Sequence, residues 1–238
     1  AWEEMSLLDG SDLCSPLAAA DDLALPEYMS TLGPTGMTAW LGLFRIGQPK
    51  PDDVVVVSAA GGAVGTIVGQ LAKSVGCRTI GLVSSAEKAQ WLTEEVGYDI
   101  AISREVQPDL ARALSEAAPS GVDLFFDNVG GSVLNTVMGQ LQEGARLVLC
   151  GAISQYEADV EPVTHTWELI TKRARMEGFM FSDYTDEFPA VIETLESQLR
   201  TGELKTFDQR YQGIEQTPIA FCDMMRGVSR GKCLVVLD

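Results

Sequence analysis

Positive charge is what this sequence lacks most. Its 238 residues hold 17 lysines and arginines against 34 acidic residues, a formal net charge of −17 at pH 7. A field of that sign repels nucleic acid and anionic membrane surfaces, so neither is expected as a partner. Lysine is especially scarce, with six, a balance that suits either a high-salt source or an ordinary acidic cytosolic protein. Histidine is nearly absent. The one present, His165, follows Pro162 in a polar stretch and reads as an exposed helix entry rather than a catalytic base. The five cysteines, Cys14, Cys77, Cys150, Cys222 and Cys233, are odd in number and show no C-x-x-C spacing, which argues against a disulfide scaffold and a closed zinc site and fits reduced thiols in the cytoplasm. No run approaches the roughly 18 apolar residues of a membrane span, and Ala1-Trp2-Glu3-Glu4 lacks the basic start of a secretion signal. The chain opens without Met, inside what reads as a strand, so a further segment is expected upstream.

Apolar matter is what the sequence has in plenty, 46% of residues, enough for a substantial core. Val54-Val55-Val56-Val57 is a β-branched run, and the glycine-rich turn after it leads into helical spacing over Thr66 to Val75. The pattern repeats. Strands are expected at Thr79–Val83, Ile100–Ser103, Val122–Phe126, Arg146–Cys150 and Met176–Phe181, with helices between them at Ala86–Val96, Asp109–Ala118, Ser132–Leu141 and Thr166–Arg173. Six strands separated by helices imply an α/β fold with a doubly wound, parallel Rossmann sheet. Glu187–Leu199 reads as an amphipathic helix stopped by Thr201-Gly202. The expected division is 1–30, 31–202 as the dinucleotide-binding domain, and 203–238, because the two flanks lack the alternation and look like parts of another unit. Leu234–Leu237 is a short strand candidate in the last of these.

Ala60-Gly61-Gly62-Ala63-Val64-Gly65 fits A-x-G-x-x-G between a strand and a helix, where glycine lets backbone approach a pyrophosphate at the helix's positive end. Gly62 is expected to face the phosphates and Gly65 to let the helix pack closely. Glycine turns also arise for steric reasons alone, but the strand before and the alternation after supply the context that a dinucleotide site needs. An NAD site usually places Asp or Glu roughly 20 residues further on, at the end of the second strand. Here that place reads Leu82-Val83-Ser84-Ser85. Ser84 and Ser85 offer hydroxyls and Lys88 a cation, a set suited to a 2′-phosphate and hence to NADP, although a helix-surface lysine is by itself usually just solvated.

Further segments carry a family resemblance: Gly36-Met37-Thr38-Ala39-Trp40, the run Ser58 to Lys73, Phe126-Asp127-Asn128-Val129-Gly130-Gly131, Cys150-Gly151-Ala152-Ile153-Ser154-Gln155-Tyr156, and Glu177-Gly178-Phe179. Together and in this order they resemble the zinc-free medium-chain dehydrogenase/reductases, in particular the prostaglandin reductase, leukotriene 12-hydroxydehydrogenase and alkenal double-bond reductase group. The resemblance implies a nucleotide domain beside a GroES-like, β-rich substrate domain, remnants of which would lie at both ends of this chain, with NADPH in the cleft and a homodimer paired through nucleotide domains. It implies Gly62, Ala63, Val64 and Gly65 at the pyrophosphate, Lys88 at the 2′-phosphate, Asn128, Cys150, Gly151 and Ile153 along the riboses, and Met37 and Thr38 near the nicotinamide. Three positions depart from the family pattern. Arg104 stands where a tyrosine often flanks the 2′-phosphate, Ser229 where the family has the asparagine of N-x-G-K, and Ser182 where a tyrosine follows the E-G-F strand.

The chemistry implied is hydride delivery to the β-carbon of an enone or enal, with the enolate stabilised and then protonated at the α-carbon. Tyr156 is the candidate hydroxyl for that proton relay; equally, it could pack on the cofactor or face water. Phe179 and Phe181 alternate with Met180, so that one face is core and the other can reach the nicotinamide. Asp127 ends a buried strand, where a carboxylate more often holds backbone than moves protons, and Cys150 is expected to pack rather than attack. No metal is expected, because Thr31–Trp40, where zinc-dependent relatives place a ligand, contains no Cys, His, Asp or Glu. Quinone reduction and a non-catalytic NADP-binding module remain as alternatives.

Overall fold

The six expected strands are present and parallel in the computed structural model, which describes residues 22–156 and 160–237. They are β1 (Val54–Val57), β2 (Arg78–Val83), β3 (Ile100–Ser103), β4 (Val122–Asp127), β5 (Leu141–Leu149) and β6 (Arg175–Gly178), in the spatial order β3-β2-β1-β4-β5-β6. That order places the two mononucleotide halves on either side of the β1–β4 junction. Alternation along β1 shows why the run is apolar throughout: Val55 and Val57 enter one core cluster, Val54 and Val56 the other, because helices cover both faces. The first face carries α2 (Pro34–Trp40), α3 (Ala63–Val75), α4 (Ala86–Trp91) and α8 (Phe188–Thr201); the second carries α5 (Leu110–Ala117) and α6 (Gly131–Met138). On neighbouring β4, Phe125 and Phe126 are fully buried on opposite faces, each contributing about 1.5–3 kcal/mol by leaving water.

Several boundaries differ from the sequence expectation. The expected helix to Leu141 ends at Met138, and Leu141 already pairs with Val122 at the start of β5. The strand then carries a register irregularity, with Gly144 at φ +77°, before Arg146 pairs with Leu124, which is why only its second half reads as a strand. β6 stops at Gly178, and Phe181 already opens a 3₁₀ segment, Phe181–Glu187.

Beyond the sheet, α2 runs on through a π-helical turn, Leu41–Gly47. Its last carbonyls have no helical partner. Arginines from the sheet supply one: Arg146 donates to Gly47 and Gln48, and Arg175 to Ile46. Between α8 and the end of the chain, β7 (Asp208–Gln212) and β8 (Lys232–Val236) form a separate parallel pair around α9 (Thr217–Met225). Residues 1–21, where the expected opening strand falls, lie outside the described residues. The described residues just after them form α1 (Leu25–Met29), whose Tyr28 joins the first core cluster. Among the described residues no helix is long and apolar enough to cross a membrane.

Candidate functional site

The glycine turn closes tightly at the carboxyl end of β1. Gly62 is the N-cap of α3, its amide donates to the Ala59 carbonyl at 2.9 Å, and Ala59 itself sits at φ +47°. No side chain caps α3 and no acid lies in its first turn, so its leading amides and positive end are left for an anion. Gly65 has a steric reason: a Cβ there would stand 2.6 Å from Ala60 Cα and 2.7 Å from the Ala59 carbonyl oxygen. The same turn is propped from β3's approach, where the buried Tyr98 hydroxyl donates to the Gly65 carbonyl at 2.6 Å and its ring fills the space over Gly69.

At the end of β2, Lys88 is not the solvated helix-surface lysine that was the alternative reading. Lys88 is 8% exposed, and its ammonium donates to the carbonyls of Gly227, at 2.6 Å, and Ser229. Burial first, and then the field of Arg230, hold its proton affinity below the ordinary lysine value, with Cys233 pulling the other way. Ser84 donates to the same Gly227 carbonyl at 3.2 Å, while Ser85 caps α4 by accepting from the Lys88 amide. The segment Gly227–Gly231 is thus a strap over the residues that follow β1 and β2. It is pinned where the Gly231 amide donates to the Gly61 carbonyl at 2.8 Å; Gly231 lies at φ +63°, with no room for a Cβ against Phe207. Ser229 is buried in this strap. Arg104 is exposed at the end of β3, its amide on the Val83 carbonyl.

The next strand end is held by a buried network. Asp127 accepts from the Ser58 hydroxyl at 2.7 Å and from the amides of Val129 and Gly130; the Asn128 amide donates to Ser58 Oγ, and the Asn128 side chain to the Ser58 carbonyl. Burial pushes the Asp127 carboxyl above its usual value, against the pull of these hydrogen bonds. The Asp127 carbonyl in turn takes the amides of Cys150 and Gly151. The Cys150 thiol is pushed up to about 12, by burial and then by Asp127, so it is a packing group at neutral pH. Both agree with the holding and packing roles expected of these residues.

Met37 lies within the first core cluster, and Val64, Phe179 and Phe181 pack against that cluster, partly buried. Phe179 packs where Gly42 leaves space, Phe181 stacks on Phe188 with centroids 6.0 Å apart, and Met180 faces outward. Thr38 donates to the Pro34 carbonyl in its own helix. Ile153 is at the surface and Tyr156 is 66% exposed, beside the undescribed residues 157–159. His165 is exposed at the N-terminal end of α7 (Thr166–Thr171), as expected. Ser58, Tyr98, Gly227 and Arg230 had no role assigned from sequence. Only Ser58, the hydroxyl directly after an apolar strand, carried a local signal. Among the described residues no three His, Cys, Asp or Glu side chains come together as metal ligands.

The comparisons agree with this architecture. Residues 63–197 match the family described as zinc-binding dehydrogenase. The chain is 40% identical over 242 residues to the putative NADP-dependent oxidoreductase YfmJ of Bacillus subtilis, covering 99% of this chain and 70% of that protein. It is 37% identical to the NADP(+)-dependent 2-alkenal reductase of Nicotiana tabacum, covering 100% of this chain and 69% of that one. The solved structure of CurA in complex with NADPH, from Vibrio vulnificus, superposes with a TM-score of 0.86 at 36% identity, over 92% of this chain and 67% of CurA. A strand-turn-helix with an uncapped helix start and an acid-free end to β2 occur here in one chain; it belongs to the zinc-binding dehydrogenase family, in the zinc-free medium-chain branch of the alkenal and prostaglandin reductases.

Proposed function

We propose that this chain is the coenzyme-binding body of an NADPH-dependent, zinc-independent reductase of the carbon-carbon double bond in α,β-unsaturated ketones or aldehydes. One juxtaposition carries the reading: the uncapped start of α3 lies across the strap from Lys88 and Ser84, at the end of a strand that offers no carboxylate. The α3 amides at Ala63, Val64 and Gly65 would hold the diphosphate, and Lys88 and Ser84 the 2′-phosphate. Asn128, Gly151 and Ile153 line the path of the riboses; Met37, Thr38, Phe179 and Phe181 wall the far end, and Ser229 presents its carbonyl to Lys88. When bound, NADPH supplies the hydride for the β-carbon. Tyr156 then handles the proton at the enolate oxygen, since a phenol both donates and accepts.

Residues 203–238, with their own two strands, are the return to a substrate domain completed by sequence outside this chain. The assembly read here is a homodimer: β6 is the outermost strand of the sheet, and Trp167 and Ile170 of the preceding α7 are exposed. In a titration, NADPH binds more tightly than NADH, and Lys88→Ala removes about ten- to hundredfold of that preference. Equal affinities in the parent chain overturn the coenzyme assignment. The full-length protein oxidises NADPH with simple enones and enals; turnover confined to quinones overturns the substrate class.

A further inference from the structure

Lys88 alone is a poor receptor for a 2′-phosphate. An ammonium has three protons, and two of them are already on the Gly227 and Ser229 carbonyls, so one remains for a group with three acceptor oxygens and nearly two negative charges. The Ser84 hydroxyl proton is likewise on Gly227. A further donor must come from nearby, and the strap carries one. Arg230 follows Ser229 directly, and its guanidinium lies over Trp91, 5.6 Å from the ring centroid, three residues along α4 from Lys88 and therefore on the same face of the helix. Its backbone is fixed, with its own amide on the Gln209 side chain and the next amide on Gly61, so that only the side chain is left to turn.

The Arg230 guanidinium pairs with Glu87. That pair is a weak one, between side chains 34% and 81% exposed, and a phosphate competes for the guanidinium with more charge and a bidentate fit. Arg230 also stands close enough to lower the proton affinity of Lys88, an effect to which Arg104 does not contribute.

We propose that Arg230 is the second cation for the 2′-phosphate, held off it in the free chain by Glu87, and that this pair sets how strongly the site prefers the phosphorylated coenzyme. The inference rests on the coenzyme reading above, and it assigns to Arg230 the part that the sequence alone gave to Arg104.

The test uses two probes that differ only in the phosphate, adenosine 2′,5′-bisphosphate and adenosine 5′-monophosphate, titrated calorimetrically into the whole chain. Arg230→Gln lowers the ratio of the two affinities about tenfold, the scale of one charge-assisted hydrogen bond. Arg230→Lys restores part of it, Glu87→Gln raises it, and Arg104→Gln leaves it within about twofold of the parent. A folded Arg230→Gln chain with the parental ratio overturns the inference, as does collapse of the ratio in Arg104→Gln instead. Should Arg230→Gln fail to fold, an unchanged ratio in Glu87→Gln overturns it. A parent chain that does not distinguish the two probes removes the coenzyme reading itself; a parent chain that does, with an indifferent Arg230, removes only this inference.

Discussion

The two ends of the groove are built to different standards. Around Gly62 and Lys88 the polar groups are buried and partnered: Lys88 on two strap carbonyls, Ser84 on one of them, and Asp127 under three donors. Around Tyr156 the side chains stand open, with Tyr156 66% and Met180 61% exposed. Groups that must recognise one invariant ligand are worth fixing in a buried network, where each unmade bond is costly. Groups that meet the variable part of a reaction sit on loops at the rim of a rigid scaffold. On the proposed reading, the coenzyme is met by the packed part of the site and the substrate by its loop side chains.

That contrast can be broken from either end. At the open end, Tyr156→Phe keeps the ring and deletes the hydroxyl. In the full-length protein it lowers kcat for enone reduction by about a hundredfold or more, the usual scale for a positioned proton-transfer group, while NADPH affinity stays at the parental value. A fall in affinity with kcat intact would make Tyr156 a packing residue on the coenzyme. At the closed end the effects reverse. Gly65→Ala drives a methyl group into the backbone of Ala59 and Ala60, which has no flexible end to move aside. It costs up to about 3 kcal/mol, read as a fall in Tm of roughly 5–12 °C, and weakens NADPH binding with it. A variant with parental Tm and affinity would show that the turn yields easily and would remove the contrast in rigidity.

How much of this was legible in the sequence follows from the range of the interactions. The apolar run Val54–Val57, the glycine turn and the regular alternation after it are local signals, and they carried the sheet and its first strand-turn-helix correctly. Gly33 and Pro34, a cap and a proline at the first helical position, announced α2 just as locally, though the motif there drew attention to its side chains instead. The strap was not legible. Lys88 finds its carbonyl partners 139 and 141 residues downstream, and no property of either segment by itself announces that meeting. The same holds for Tyr98, which reaches back 33 residues to Gly65, and for β5, where an irregularity around Gly144 hides the first half of the strand from any period. The departures at Arg104 and Ser229 were visible as residues. Their meaning depends on Arg230, which only the fold places over α4.

The smallest of the expected effects tests the closed end by thiol chemistry. Cys150 sits under the closed network beside Asp127, and burial first, then Asp127, pushes its thiol up to about 12, so it stays protonated near neutral pH. Cys77, buried near the other end of the sheet with its thiol on the Lys50 carbonyl, is pushed up to about 11, by burial first and then by Asp53. Cys222 on α9 is exposed. Iodoacetamide at pH 8, followed by peptide mass spectrometry, modifies Cys222 ahead of Cys77 and Cys150. The order holds with and without NADPH, because burial in the fold rather than cover by the coenzyme protects the two inner thiols. Rapid labelling of Cys150 that NADPH suppresses would mean that the network around Asp127 opens in the free chain, and the closed end would then owe its order to the ligand.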